Sequence, residues 1–351
     1  MKINLEGCAL PQPISVVSPE DVKEMLSIRE EDGKVFVKIN SSSLSLMQTC
    51  WRKTYLELIR KVKMPKDSSA LDFGSAIHAC LEFFYLGDRK SRKFTQACKK
   101  NGELIGAGVG TEEHQDCLVC NSFRKFVEVG RELGLSEDHM VTRSLPTGVW
   151  ILTYYFERYI DDPFIVLEDA EGPLVERRVE YELYDSPELQ INYFGSIDVI
   201  LKNERTGVVL ICDHKTSSRV GNEFFNRLKP NHQYTGYIKA AAADLGVETD
   251  SFLVNCLQVK PKPKTARGGP PQFPRQVTPR DSEDIKEFEA CVLSTTKELI
   301  RRLKENDWPL GLTNSCAAWG GCTFMDVCSA PRDLRETIMR SKAIQFNEEN
   351  A

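Results

Sequence analysis

No stretch of this chain approaches the roughly eighteen consecutive apolar residues that a membrane-spanning helix needs. Its opening residues, MKINLEGCALPQPISVV, lack the charged-then-apolar layout of a secretory signal. A cytoplasmic protein without membrane contact is the expectation. Net positive charge is missing too. The formal balance is -5, which excludes a surface coated in positive potential and confines any nucleic-acid contact to a local patch. There is no glycine-rich GKS or GKT loop, so the chain is not expected to hydrolyse ATP. Internal repeats and low-complexity tracts are absent as well.

What is present is ordinary globular material: 351 residues, 41% of them apolar, enough for one large domain or two moderate ones. Twelve cysteines in a reducing compartment are poor candidates for a disulfide framework, so those that group raise the question of metal or cluster ligation. The remainder pack as small apolar side chains. Cys117 and Cys120, in CLVC, have the two-residue gap of a familiar metal-binding pair. The stretch TNSCAAWGGCTFMDVCSAPRD places Cys316, Cys322 and Cys328 close together without a Cys-x-x-Cys of its own. Thiolate sites usually want four ligands, and Cys50, flanked by Trp51 and Arg52 on its helix, is the candidate fourth. Both zinc and an iron-sulfur cluster suit such a set, and spacing alone favours zinc and the CLVC pair.

Residues 1 to about 40 look peripheral. From Ser41, SSSLSLMQTCWRKTYLELIRKV has a serine cap and then Leu44, Met47, Trp51, Tyr55 and Leu58 at helical spacing. In LDFGSAIHACLEFFYLG, Ile77, Leu81 and Phe84 form an apolar stripe, His78 and Glu82 stand one turn apart on an adjoining face, and Gly74 allows the helix start to approach another backbone. Residues 86–165 are expected to be a helical insertion, and it holds Cys98. Strand character begins near Leu174. NEFFNRLKPNHQYTGYIKAAAADLG predicts a helix, SFLVNCLQVK a strand, and DSEDIKEFEACVLSTTKELIRRLKEN a long helix with its acidic residues first, as the helix dipole prefers. The order indicates a mixed α/β core.

The most informative segment is FGSIDVILKNERTGVVLICDHKTSS. It predicts a strand over Ile197 to Leu201, a polar turn over Asn203 to Gly207, and a second strand from Val208 to Lys215. Alternation puts Asp213 and Lys215 on one face and Cys212 and His214 on the other, with Asp198 approaching from the neighbouring strand. Two carboxylates suit a hard ion such as magnesium, and the lysine can steady a water nucleophile or a developing negative charge. That chemistry is phosphodiester hydrolysis. Farther on, VKPKPKTARGGPPQFPRQVTPR carries Lys260, Lys262, Lys264, Arg267, Arg275 and Arg280 with no acidic residue, a candidate phosphate-contacting loop.

In this order the elements resemble the RecB-type branch of the PD-(D/E)XK nuclease superfamily, especially its iron-sulfur members: the AddB-type helicase-nuclease subunit, the CRISPR adaptation nucleases and related phage exonucleases. The resemblance covers residues 50 to about 331. Cys50-Trp-Arg-Lys-Thr-Tyr-Leu matches the family's CPRKYYL-like helix, with tryptophan for proline. Gly74-Ser-Ala-Ile-His78 matches Gly-x-x-x-His, Gly195-Ser-Ile-Asp198 matches GxxD, Asp213-His-Lys215-Thr216 matches DxKT, and Gln233-Tyr-Thr-Gly-Tyr237 matches Gln-x-x-x-Tyr. The family's closing cysteines run Cys-x-x-Cys-x5-Cys; here the second gap is kept and the first is widened to five residues.

The resemblance implies a restriction-endonuclease-like core, a mixed sheet flanked by helices, over residues 41–335, with a helical insertion at 86–165, a cluster-binding tail at 316–328, and peripheral segments at 1–40 and 336–351. It implies that His78, Asp198, Asp213 and the His214 carbonyl hold Mg2+ or Mn2+, that Lys215 acts at the attacking water or the phosphorus, and that Glu176, or failing it Glu180, completes the site. Gln233 and Tyr237 would line it. Cys50, Cys316, Cys322 and Cys328 would hold a 4Fe-4S cluster, with zinc as the alternative. The implied activity is metal-dependent cleavage of DNA ends or single strands in recombination, repair or phage DNA processing, in a bacterial or phage-infected cell, with any helicase or recombination partner a separate chain. The rival readings are a non-catalytic DNA-binding or assembly protein and a zinc-stabilised interaction protein.

Overall fold

The computed structural model describes residues 25–65, 68–109, 116–263, 269–311, 314–317 and 321–343. Two short strands come first, β1 (Leu26–Glu31) and β2 (Lys34–Ile39), joined by a tight turn at Asp32 and Gly33. In KVFVKI the alternate residues Val35, Val37 and Ile39 are buried, the period-two pattern of a strand covered on one face. β2 runs parallel to a central strand of the main sheet, so residues 26–39 belong to the core and the expected boundary at residue 40 is displaced toward the N-terminus. Short, charge-interrupted strands leave little periodic signal, which is why this hairpin escapes a reading of the sequence.

α1 (Ser41–Thr49) is capped by Asn40 rather than by a serine, in a reciprocal box with Ser43. Cys50 ends it in an extended conformation, and α2 (Trp51–Thr54) restarts the chain and passes into a π turn at Tyr55–Ile59. Cys50 therefore occupies a joint between helices instead of a position within one. Residues 86–165 are largely helical: after the end of α3 (Ser69–Leu86) come α4 (Gln96–Gly106), α5 (Leu118–Glu132) and α6 (Leu145–Tyr159). Their apolar faces meet over Phe73, Phe84, Phe123, Phe126 and Phe156 and cover one face of the sheet.

After β3 (Phe164–Val166) and a small hairpin of β4 (Glu168–Asp169) and β5 (Gly172–Pro173) come β6 (Val175–Asp185), β7 (Leu189–Asn203) and β8 (Val209–Ser217). β7 and β8 form the expected antiparallel hairpin. The next segment divides in two, a single turn α7 (Asn222–Phe225) and the helix α8 (His232–Leu245), whose first amides are capped by the Asn231 side chain. β9 (Ser251–Gln258), β10 (Arg275–Pro279) and α9 (Ser282–Glu305) follow, then α10 (Met325–Ser329) and α11 (Arg335–Lys342).

The sheet order is β1-β2-β7-β8-β9-β10, with β3 and β6 also bonded to β7. Parallel (β2·β7, β8·β9) and antiparallel pairings coexist, and a second apolar layer on the far face gathers residues of α1, α8 and α9, among them Leu44, Ile238, Val292 and Leu299. The architecture is α/β/α, a mixed sheet between helices. Along β8 and β9 the alternation is clean: Leu210, Cys212, Leu253 and Leu257 face the α3–α6 layer, while Ile211, Phe252 and Val254 face α8. Among the described residues no helix is long and apolar enough to cross a membrane.

Candidate active site

Two strands part company at the site. β8 pairs with β7 from Val209 to Cys212, and from Asp213 onward it pairs with β9 alone. β2 leaves β7 at Tyr193. Residues 194–198 of β7, the GSID segment, therefore have strand pairing only toward β6. Backbone groups in such a split must still be satisfied. Asp198 does this for β8, its Oδ2 accepting the His214 N–H at 2.7 Å.

α3 delivers His78 to the same place. Its Nε2 lies 2.6 Å from the His214 carbonyl oxygen and its Nδ1 lies 3.3 Å from Asp198 Oδ2. A carbonyl oxygen only accepts, so Nε2 carries a proton in this arrangement. The facing pair Nδ1 and Asp198 Oδ2 then needs a shared proton or a cation between them. α3 can come this near because of Gly74, where a Cβ would stand 3.3 Å from the Thr216 hydroxyl.

Glu176 completes the group. It lies opposite Asp198, between the paired residues Val175–Val199 and Arg177–Ile197, and its backbone is left-handed at φ 48°. A non-glycine residue there costs about 1–2 kcal/mol. Such local strain persists where the surroundings enforce it, typically at functional sites. Ser196 Oγ donates to its carboxylate at 3.3 Å. Donor atoms of His78, Glu176 and Asp198 all lie within 4.8 Å of one another. Glu180, the second choice, is engaged elsewhere by Asn192 at 2.7 Å and Lys38 at 2.8 Å.

The electrostatics show what this group lacks. Burial, then the neighbouring Asp198, Glu82 and Asp213, push the Glu176 carboxyl up to about 8. Asp198 is raised to about 6 by burial and by Asp213, against the pull of His78 and Lys215. Carboxylates crowded in this way are charge-starved, and a divalent cation relieves them. The oxygen-rich donor set with one imidazole fits Mg2+ or Mn2+.

Asp213 stands apart from the triad as a partner of Lys215, whose Nζ is 2.9 Å and 2.8 Å from its two oxygens. Asp213 Oδ2, buried, meets the Lys215 ammonium at 2.8 Å without a hydrogen bond of good direction. From α8, Gln233 Oε1 accepts from Lys215 at 3.3 Å and its Nε2 donates to Asp213 at 3.3 Å. Burial alone would lower the Lys215 pKa, but Asp213, with Tyr234 and Asp198, outweighs it and the net shift is upward. Tyr237, one turn after Gln233, lies on Gly195, where a Cβ would fall 2.3 Å from its ring. The glycine of GSID is thus a seat for the tyrosine of Gln-x-x-x-Tyr.

His214 turns its ring away from this cluster, as alternation predicts, and stacks on Tyr85 with centroids 5.4 Å apart. Burial, aided by His78 and Arg275, lowers its pKa well below the usual value, so the ring is neutral. Arg275 Nε donates to Asn255 Oδ1 at 2.9 Å, which turns the Asn255 amide nitrogen toward Tyr155 Oη at 2.8 Å and His214 Nδ1 at 2.7 Å. This backing network was missed in the sequence. Its only signal was Asn255, a polar residue amid the apolar run SFLVNCLQ.

Arg275 itself requires a correction. The sequence places it on a phosphate-contacting loop; instead it lies on β10 with its side chain only 13% exposed, ion-paired with Asp162 and set over the Tyr159 ring at 3.5 Å. Arg280 is buried, bonded to Thr235 at 2.8 Å and Thr278 at 2.7 Å. A run of charges in sequence does not reveal where a strand begins or which of its residues the flanking helices cover: Thr278 and Arg280 are buried while Gln276, Val277 and Pro279 stay exposed. Lys262 is exposed and Lys260 half-buried, with Nζ 3.3 Å from the Gly269 carbonyl. Lys264 and Arg267 lie outside the described residues.

Cys50, Cys322 and Cys328 gather at the far end, beside a small core of Leu56, Val62, Phe324, Val327 and Met339. The Cys322 N–H donates to the Cys316 carbonyl at 2.8 Å. Burial, with Cys322 and Cys50 near, raises the Cys328 thiol. No three of these four sulfurs lie mutually within 4.8 Å; those of Cys98, Cys117 and Cys120 do.

No curated protein matches this chain. Among solved structures, a provisionally described exonuclease from Eubacterium rectale is similar at a TM-score of 0.45 and 11% identity, over 90% of this chain and 99% of that one. The family model of the PD-(D/E)XK nuclease superfamily matches residues 38–329, and the chain, with its mixed sheet and its carboxylate-lysine cluster at the parting of two strands, belongs to that superfamily.

Proposed function

We propose that this protein is a Mg2+- or Mn2+-dependent deoxyribonuclease acting on DNA ends or single strands. The observation that carries the proposal is the pairing of a charge-starved His78, Glu176, Asp198 group with a lysine held as a cation by Asp213 and Gln233. His78, Glu176 and Asp198, with the neighbouring Asp213 and the His214 carbonyl, would hold the ion. Bound there, a divalent cation supplies charge neutralisation on the phosphate and acidifies water. Lys215, kept protonated, stabilises negative charge developing on the phosphoryl oxygens and does not act as a base. Gln233 orients the lysine, and Tyr237 fixes α8 against the GSID strand.

Register supports a nucleic-acid contact at Lys260 and Lys262. β8 and β9 are parallel, with Lys215 beside Cys256 and Ser217 beside Gln258, so the loop after β9 leaves from the same end of the sheet as the site. Lys264 and Arg267 belong to the same proposed contact by sequence. Cys50, Cys316, Cys322 and Cys328 are the proposed iron-sulfur ligands: one zinc would draw its thiolates to about 4 Å of one another, whereas no three of these sulfurs lie mutually within 4.8 Å. A retained fold without catalysis is disfavoured, since the Asp213–Lys215 contact and the carboxylate group are intact.

Cleavage of end-labelled single- and double-stranded DNA with Mg2+ or Mn2+ tests the proposal. Cation-dependent products from the wild type and none from Lys215→Ala are expected. Equal cleavage by Lys215→Ala would overturn the assignment.

A further inference from the structure

The helical insertion holds a second thiol group that the nuclease reading leaves unused. Cys98, near the start of α4, and Cys117 and Cys120, at the start of α5, have sulfurs mutually within 4.8 Å, with Cys98 Sγ 3.5 Å from Cys117 Sγ. Cys98 and Cys120 are buried and Cys117 is half-buried. Tetrahedral zinc, with Zn–S near 2.3 Å, spaces its thiolates about 4 Å apart, which this trio meets without rearranging its helices.

The hydrogen bond with Cys117, then burial, raises the Cys120 thiol well above its usual value, so a bound cation is what would draw off the protons of this crowded trio, with the helix geometry assisting. Cys117 is the N-cap of the fifteen-residue α5 and makes no side-chain capping bond, and Cys120 lies in the first turn, so both sit at the positive end of a helix dipole. The Asn101 amide nitrogen points at Cys120 Sγ from 3.9 Å, and the Thr95 hydroxyl is 3.3 Å from Cys98 Sγ. Donors around a thiolate ligand orient and tune it. Asn101 is fully buried, and the Thr95 hydroxyl also caps α4 by accepting the Cys98 N–H at 3.3 Å.

We propose that Cys98, Cys117 and Cys120 form a three-thiolate site for zinc that clamps α4 to α5, with the fourth position open on the Cys117 side. The bond set is simple: each thiol gives up its proton to solvent and its sulfur lone pair to the ion, with no change of oxidation state. The role is structural. α5 packs directly on α3, the helix that carries His78, through Phe126 against Phe73 and Leu118 beneath Gly87. A clamp on α5 therefore braces the wall of the active site from outside it.

Metal analysis of the whole chain, followed by Co2+ replacement, tests the site with the metal alone as probe. The wild type and a Cys322→Ser variant, which disables the tail cysteines, are both expected to bind about one Zn2+ at this site and to give tetrahedral thiolate–Co2+ absorption. Cys98→Ser and Cys117→Ser are expected to lose that absorption and at least about 100-fold in affinity. Serine is a favoured N-cap, so Cys117→Ser keeps the fold testable, and circular dichroism checks both variants. Unchanged Co2+ absorption in Cys98→Ser and Cys117→Ser would overturn the proposal. So would a wild-type chain that carries a Cys98–Cys117 disulfide and takes up no metal under reducing-agent-free purification. Neither result bears on nuclease activity, which rests on other residues.

Discussion

At Lys215 burial works against the charge and Asp213 works for it; the carboxylate wins, and the side chain is a fixed cation at the edge of a carboxylate group. Lys215→Ala should lower the cleavage rate by about 10²–10³-fold or more at saturating cation, the magnitude typical of removing one preorganised charge stabiliser. Lys215→Arg should fail to restore it, because a planar guanidinium cannot replace a compact ammonium gripped by Asp213 and Gln233. Steady-state kinetics with matched thermal melts check both. Glu176 and Asp198 make a second prediction. Their folded-state pKa values are raised, to about 8 and about 6, so the metal-free protein holds protons that the unfolded chain releases at lower pH. The stability this contributes is present below the unfolded carboxylate values near 4 and is lost as pH rises toward 8. The melting temperature of the metal-free protein should fall from pH 5 to pH 8, and added Mg2+ should raise it most at the upper end. A flat profile without cation would show that these carboxyls are not crowded.

Among the elements, α8 and β7 are fitted to each other through absent side chains. Gly195 leaves room for Tyr237, and Gly236 leaves room for Tyr193, where a Cβ would come within 2.4 Å of the ring. Gly195→Ala should cost about 1–3 kcal/mol by overpacking, and should depress cleavage by shifting Gln233 away from Lys215. Adding Tyr237→Ala should restore much of the stability and little of the activity, which denaturant titration and a cleavage assay separate. β10 offers a contrast between charges that look alike in sequence. Arg275→Ala leaves Asp162 and Asn255 without their partner in the interior and should destabilise by about 3–5 kcal/mol. Lys262→Ala should leave stability unchanged and weaken DNA binding in a salt-dependent way, reducing the slope of log affinity against log salt by about 0.7–0.9. An Arg275 variant that kept full stability would contradict its role in holding Asp162 and Asn255.

For the whole molecule the question is how the ends of the domain are held. Cys50 follows α1, and Cys322 and Cys328 close the tail, yet they share one corner with Leu56 and Met339. The Arg60–Glu336 ion pair at 2.9 Å and 3.0 Å joins the same two regions. A ligand bridging such distant segments restricts the unfolded chain strongly. Protein purified without oxygen should absorb near ~400 nm if the ligand is an iron-sulfur cluster. Cys322→Ser should abolish that colour and lower the melting temperature, whereas colourless wild-type protein that carries no iron would overturn the iron-sulfur assignment.

The motifs themselves were legible in the chain. Alternation dictates that Asp213 and Lys215 share a face, helical spacing places His78 one turn before Glu82 and Gln233 one turn before Tyr237, and these local periodicities survive into any fold that contains them. The resemblance ranks Glu176 before Glu180, yet no local pattern separates them, because both lie on one strand at an even spacing. What sets Glu176 apart is tertiary: a left-handed backbone at the register position facing Asp198. Nor could the sequence tell Arg275 from Lys262, or bring Cys98 to the CLVC pair, since those outcomes depend on where β10 starts and on how α4 packs against α5. Sequence determines what lies within a turn or a strand of itself. Only tertiary packing decides which distant donor fills a split between strands, because that is set by burial and by the polar groups burial leaves unsatisfied.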